Sequence, residues 1–302
     1  MANEEPYSVE EEIMHLTPEQ RATITVTNDY VFRCLFGDTK NEKLLLSLIN
    51  AVLRDSKQPE VSSVTITSPF NYKQTFDDKE SITDVKAVAK SGEIFDIEMQ
   101  VLKESDYMKR ILYYAAHNIS SQLPEGGHYS TIHPVICINV LAFELFKEDR
   151  RPHHFAEIME VESKKVLSDD LGFHFLELTK LRDCASIDGE LREWLNFFRY
   201  GHEEGYMVSG AYQAVADANS WFENFKANDY MSSKAFQRAK HLRDEAAIRK
   251  AGYEDGHEDG REEGRKEGKL EDAQKMLALN MDTATISAVT GLSTSDLNAL
   301  KC

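Results

Sequence analysis

At 302 residues the chain is long enough to bury a full core and to carry appendages besides. Its net charge of −17 works against a phosphate-rich partner, and no apolar run is long enough to span a bilayer, which excludes a membrane protein of the helical kind. The four cysteines (Cys34, Cys137, Cys184 and Cys302) show no paired metal-ligand spacing, and no signal-like segment leads the chain, so they read as reduced thiols of a cytoplasmic protein.

Residues 1–27 open with Asn3-Glu4-Glu5 and Glu10-Glu11-Glu12 and read as an acidic arm. Residues 40–54 place Leu44, Leu45, Leu48, Ile49 and Val52 at helical spacing and stop before Pro59. Residues 61–67 alternate as a strand. Two runs follow, Ile82-Thr83-Asp84-Val85-Lys86 and Glu93-Ile94-Phe95-Asp96-Ile97-Glu98-Met99-Gln100. Around Lys90-Ser91-Gly92 they read as a hairpin whose three-residue loop closes on Gly92 in the left-handed region.

That register sets Asp84 opposite Glu98, Lys86 opposite Asp96, and Ile82 opposite Gln100. Side chains alternate along a strand, so Val85, Ala87, Ala89, Phe95, Ile97, Met99 and Val101 form an apolar wall. The other face carries Asp84, Lys86, Asp96, Glu98 and Gln100. Two opposed carboxylates repel unless a positive charge sits between them, and a divalent metal ion is the natural candidate.

Residues 104–122 read as a helix, with Pro124-Glu125-Gly126-Gly127 as its stop. Residues 134–143 are apolar nearly throughout, as in a strand buried on both faces. Residues 155–166 and 172–181 read as a second hairpin joined by Ser168-Asp169-Asp170. From residue 188 the pattern is helical, with Trp194, Leu195, Phe197 and Phe198 as a buried stripe. Gly252, Gly256, Gly260, Gly264 and Gly268 then recur every fourth residue among charged neighbours. They make either a helical face that a second backbone approaches closely or a solvated linker. Residues 270–300 resemble three short helices, with Thr283 and Ser293 as caps and Gly291 as a turn. This is helix-turn-helix punctuation, yet residues 294–301 offer only Lys301 as a cation, which favours packing or oligomerisation over base reading.

Asp84, followed by Glu98-Met99-Gln100 closing an apolar strand, resembles the active-site pattern of PD-(D/E)xK nucleases. More narrowly the chain is similar to the recombination-promoting nuclease/transposase family of that superfamily. Asn28-Asp29-Tyr30-Val31-Phe32, Leu35-Phe36-Gly37, the helix from Leu44 to Ala51, Tyr107 to Tyr114, Gln122-Leu123 with Gly127 and Tyr129, His133-Pro134-Val135-Ile136-Cys137-Ile138 and Thr290-Gly291-Leu292-Ser293 fit it in order and spacing. The glycine repeat also resembles the tails of that family. The resemblance implies an α/β fold, a PD-(D/E)xK restriction-endonuclease-like core with a central mixed sheet flanked by helices, and a helical C-terminal extension. The expected division is an arm (1–27), a nuclease-like domain (28–185), a helical extension (186–250), the glycine repeat (251–269) and a small helical tail (270–302).

By the same resemblance Asp84 and Glu98 are metal ligands, with the backbone carbonyl of Met99 as a third and Asp29 as an outer carboxylate. The expected ion is Mg²⁺, with Mn²⁺ or Ca²⁺ in its place. Glu42 is a weaker carboxylate candidate, equally readable as an exposed helical residue. Gln100 stands where the superfamily usually has lysine; its amide orients water but supplies neither charge nor base. Lys86 shares the face and supplies a cation there, or simply pairs with Asp96. Arg110 on the next helix suits a bidentate contact to a substrate phosphate, while Tyr113 and Tyr114 read as core or cleft wall. His133, His153 and His154 lack metal-ligand spacing and read as satisfied or exposed.

The function implied is that of a metal-dependent DNA endonuclease of recombination or mobile elements. A non-catalytic DNA-associated or oligomeric scaffold, and an RNA-cleaving toxin-like nuclease, stand as alternatives. Residues 28–146 hold twelve Lys and Arg against sixteen Asp and Glu, so most of the negative charge lies elsewhere, and DNA is expected as a weakly or partner-assisted bound substrate. Self-association through the C-terminal tail is the other expected partnership.

Overall fold

The computed structural model describes residues 14–67, 84–183 and 187–300. Ile82 and Thr83, and with them the pairing of Ile82 with Gln100, lie outside the described residues, as do most of the acidic arm, Cys184 and Cys302.

A short helix α1 (Pro18–Ala22) starts in a capping box between Thr17 and Gln20. Helix α2 (Asp29–Phe36) is capped by Asn28, whose side-chain oxygen accepts the Tyr30 and Val31 N–H groups. Helix α3 (Glu42–Asp55) buries Leu44, Leu45, Leu48, Ile49 and Val52, the predicted stripe. Then come β1 (Val64–Ile66), β2 (Val85–Ala89), β3 (Ile94–Gln100), α4 (Tyr107–Ser120), β4 (Val135–Leu141), β5 (His153–Met159) and β6 (Val166–Glu177). The strands lie in the order β1-β2-β3-β4-β6-β5. Pairs β3–β4 and β4–β6 are parallel and the others antiparallel, with α4 as the crossover between β3 and β4.

The hairpin register is the predicted one, with Val85 opposite Ile97 and Lys86 opposite Asp96. Alternation then sorts the two sides of the sheet. Val85, Ala87, Phe95, Ile97 and Met99 face a large core shared with α2, α3, α5 (Gly189–Tyr200) and α6 (Gln213–Ala227). Ile94, Val135, Cys137, Phe173 and Phe175 face Tyr107, Ile111 and Ala115 of α4 in a smaller one. The stripe Trp194, Leu195, Phe197 and Phe198 is fully buried, and Phe36 lies 5.6 Å from Trp194 and 6.0 Å from Phe198 between ring centroids. Each such side chain contributes about 1.5–3 kcal/mol by leaving water. Cys34 and Cys137 are buried thiols whose pKa that burial pushes up, disfavouring the thiolate.

Some expectations are corrected. Val101 is exposed rather than part of the apolar wall, because β3 ends at Gln100. Ser168-Asp169-Asp170 is not a turn: Glu157 pairs with Gly172 and Ile158 with Ser168, so these residues form an irregularity inside β6. The turn falls at residues 160–165, where the Glu160 carboxylate accepts the Glu162 and Ser163 N–H groups and Lys164 takes a left-handed φ of 56°. Residues 178–183 are a 3₁₀ turn rather than strand.

Helix α7 (Asp229–Ala278) runs through the glycine repeat without a break, with open space beside its five glycines. The chain divides into two compact units at 239/240. In the second, α8 (Thr283–Thr290) and α9 (Thr294–Ala299) gather Ala273, Ile286, Leu292 and Leu297 into a small core. Asp282, not Thr283, caps α8, because its carboxylate accepts the Thr285 N–H. Gly291 ends α8 with a φ of 70°, and Ser293 caps α9 as predicted.

Candidate active site

β3 carries Glu98 into the interior, where the residue is 6 % exposed. Asp84 stands just before β2, in register with it. One Asp84 oxygen accepts the Met99 backbone N–H at 2.8 Å, and the other accepts Arg33 Nε of α2 at 2.9 Å. Gln100 Nε2 donates to Glu98 Oε2 at 3.3 Å. The predicted pair is thus assembled where the hairpin ends, with the Met99 peptide between its members.

The electrostatics are those of crowded acids. Burial pushes the Glu98 carboxyl up to about 8, Asp84 and Asp96 add to the rise, and Arg110 and Gln100 oppose it. Asp84 is also raised, by burial first, with Arg33 opposing and Asp29 reinforcing. Two hard oxygen donors held out of water with too little positive charge suit a hard divalent cation. One or two carboxylates plus substrate phosphate is the donor set that Mg²⁺ commonly accepts. Among the described residues no group of three or more His, Cys, Asp or Glu side chains is placed to hold a metal ion. The fit therefore rests on two side chains, Asp84 and Glu98.

Lys86 does not pair directly with Asp96. Its ammonium donates to Asn118 Oδ1 at 2.8 Å, and Asn118 Nδ2 donates to Asp96 Oδ2 at 2.9 Å. Asn118 belongs to the face of α4 that buries Tyr107, Ile111 and Ala115. A single amide on an apolar stripe was a legible signal for it. Tyr107 donates to Asn139 at 2.9 Å on the neighbouring β4, where Asn139 stands opposite Glu98 in register. Arg110 reaches Glu104 at 2.6 Å and lies against the Tyr107 ring, while its Nε and Nη2 are buried without a partner among the described residues. Those two donors are what a phosphate contact requires.

The outer candidates fare differently. Asp29 raises the pKa of Asp84 and is therefore near it, but its carboxylate is held by Arg238 at 2.6 Å and by the Tyr30 N–H. Glu42 accepts the Ile66 N–H and serves the fold. Tyr113 is 69 % exposed, not core. His153 bonds to Asp55 at 2.5 Å and to His174 at 3.0 Å and is satisfied inside the sheet edge, whereas His154 is buried 3.1 Å from Glu177 with its Nε2 making no hydrogen bond among the described residues. His133 lies over Gly92. Arg33 was missed altogether; its signal was the four-residue spacing from Asp29 on one helical face.

No described helix is long and apolar enough to cross a membrane. Neither the curated proteins nor the solved structures yield a match to the chain. A family profile does match, over residues 26–251, which takes in the whole sheet, Asp84, Glu98 and the helices that support them. With most of its length so covered, the chain belongs to the PD-(D/E)XK nuclease family transposases.

Proposed function

We propose that the chain is a metal-dependent endonuclease that hydrolyses phosphodiester bonds in DNA, acting on mobile or recombining elements. The observation that carries this reading is the buried pair Asp84 and Glu98 within a nuclease fold, in which burial raises both carboxyls and Asp84 raises Glu98 further. Asp84, Glu98 and the Met99 carbonyl would hold the ion, Mg²⁺ or a substitute such as Mn²⁺. When bound, such an ion polarises the phosphoryl group and acidifies a water molecule. Arg110 would turn to a phosphate oxygen the two donors that lie buried without a partner among the described residues. Lys86, fixed by Asn118, sets a positive charge on the same sheet face. Gln100, already bonded to Glu98, orients water through its amide. The glycine face of α7 supports self-association, since a Cβ at each of its five glycines meets nothing within 4 Å.

Nicking of supercoiled plasmid by the purified protein tests the reading, with Mg²⁺ against EDTA and with single-stranded RNA as a parallel substrate. Cleavage in Mg²⁺ falling at least about 100-fold in Asp84→Asn and Glu98→Gln is the expected result. Equal nicking by parent and variants would remove the site, and cleavage of RNA alone would reassign the substrate.

A further inference from the structure

Both oxygens of Asp84 are occupied by donors of the chain itself, the Met99 N–H on one and the Arg33 guanidinium on the other. Glu98, the second carboxylate of the site, receives only the Gln100 amide directly and feels Arg110 at longer range. Positive charge is therefore lopsided: a full cation rests on Asp84, while Glu98 is met directly only by a neutral amide.

An arginine does not lose its proton in a protein, so the Arg33–Asp84 pair cannot be discharged by titration. A divalent cation held by Asp84 would sit beside the Arg33 guanidinium, and the two positive charges would compete for one carboxylate. Only Nε of Arg33 is engaged; its two terminal nitrogens make no hydrogen bond among the described residues. The side chain is 24 % exposed, against 9 % for Asp84, so the guanidinium sits toward the rim. Asp29, one turn earlier on α2, does not stand ready to recapture it, because Arg238 already holds that carboxylate.

We propose that Arg33 is an exchangeable counter-ion. It neutralises Asp84 until a divalent cation takes that carboxylate, and it then turns its planar fork to a phosphate of the nucleic-acid backbone. Arginine suits this role because its donors match phosphate oxygens two at a time. The inference rests on the nuclease reading of the same site.

Calorimetric titration with Mn²⁺ alone tests it, on the parent, Arg33→Ala and Glu98→Gln. It is run at about 0.5 M KCl, where through-space charge effects beyond several ångströms are screened. Arg33→Ala is expected to bind Mn²⁺ about tenfold more tightly, equivalent to about 1.4 kcal/mol. Should alanine unsettle α2, Arg33→Gln keeps a neutral donor at the position and carries the same expectation. Affinity unchanged or lowered in a folded Arg33 variant overturns the counter-ion role.

The second arm measures fluorescence anisotropy of a short labelled duplex in Ca²⁺ at low salt. Binding by Arg33→Ala is expected to weaken about tenfold, and unchanged binding overturns the phosphate contact. A parent that binds no Mn²⁺, or a Glu98→Gln variant that binds it equally well, overturns the nuclease reading and this inference with it.

Discussion

Glu98 lies near two further acids, Asp84 and Asp96, and its burial there ties the stability of the protein to pH. Its carboxyl is raised from an ordinary 4.5 to about 8, so the folded protein holds that proton more firmly than the unfolded chain does. The resulting stabilisation is fully present below about 4.5 and is lost as pH rises through about 8. Melting temperatures of parent and Glu98→Gln in EDTA, from about pH 5 to about pH 9, check this. The advantage of the variant should grow with pH, and a flat difference between the two curves would mean that Glu98 ionises freely. Added Mn²⁺ should stabilise the parent most at the alkaline end, where the carboxylate is already bare. At this scale Asp84 and Glu98 were legible because strand alternation and one loop length fix which side chains share a face. Arg33 and Asn118 were legible only as members of a helical face, because a helical period identifies that face without saying which strand position it meets.

Among the elements, the β2–β3 hairpin shows why some boundaries could be read and others not. Gly92 has a φ of 110°, and the His133 ring covers the space that a Cβ would fill. Loop length, glycine position and alternation therefore agreed, and the register followed. Gly92→Ala meets two penalties, a left-handed backbone and a collision with the imidazole. It should cost about 2–4 kcal/mol in urea unfolding. Adding His133→Ala should recover the steric share while leaving the backbone share, and no recovery would mean that the ring is not what the methyl meets. The β5–β6 turn misled for a related reason. Ser168-Asp169-Asp170 has turn-forming composition, but the real turn is built by Glu160, whose carboxylate bonds to the two N–H groups that follow. A glutamate in that role carries no compositional flag.

For the whole molecule, the fold class was legible because family segments and hydrophobic periods pointed the same way along the chain. The nature of the glycine repeat was not, because four-residue spacing serves a helix face and a soluble linker equally. In the structure the repeat is helical with its glycines exposed, at a cost of about 1 kcal/mol each relative to alanine. Close backbone contact with a second copy offsets such a cost. Gly256→Leu with Gly260→Leu in the full chain should therefore lower the mass seen by light scattering while leaving plasmid nicking in Mg²⁺ intact. An unchanged mass would assign the repeat to spacing rather than assembly.

The grip of α7 on the start of α2 has a consequence in time. Asn28 donates to the Ala235 carbonyl and Asp29 pairs with Arg238, contacts separated by 207 and 209 residues of chain. At about 5–20 residues per second, a ribosome takes roughly 10–40 s to cross that interval. Throughout it, Asp29 has a charge without its counter-ion and α2 an N-cap without its outer anchor. The strands that carry Asp84 and Glu98 emerge long before the helix that locks their neighbour in place. A nascent chain therefore exposes an unfinished site, and the enzyme is completed only after three-quarters of it has been made.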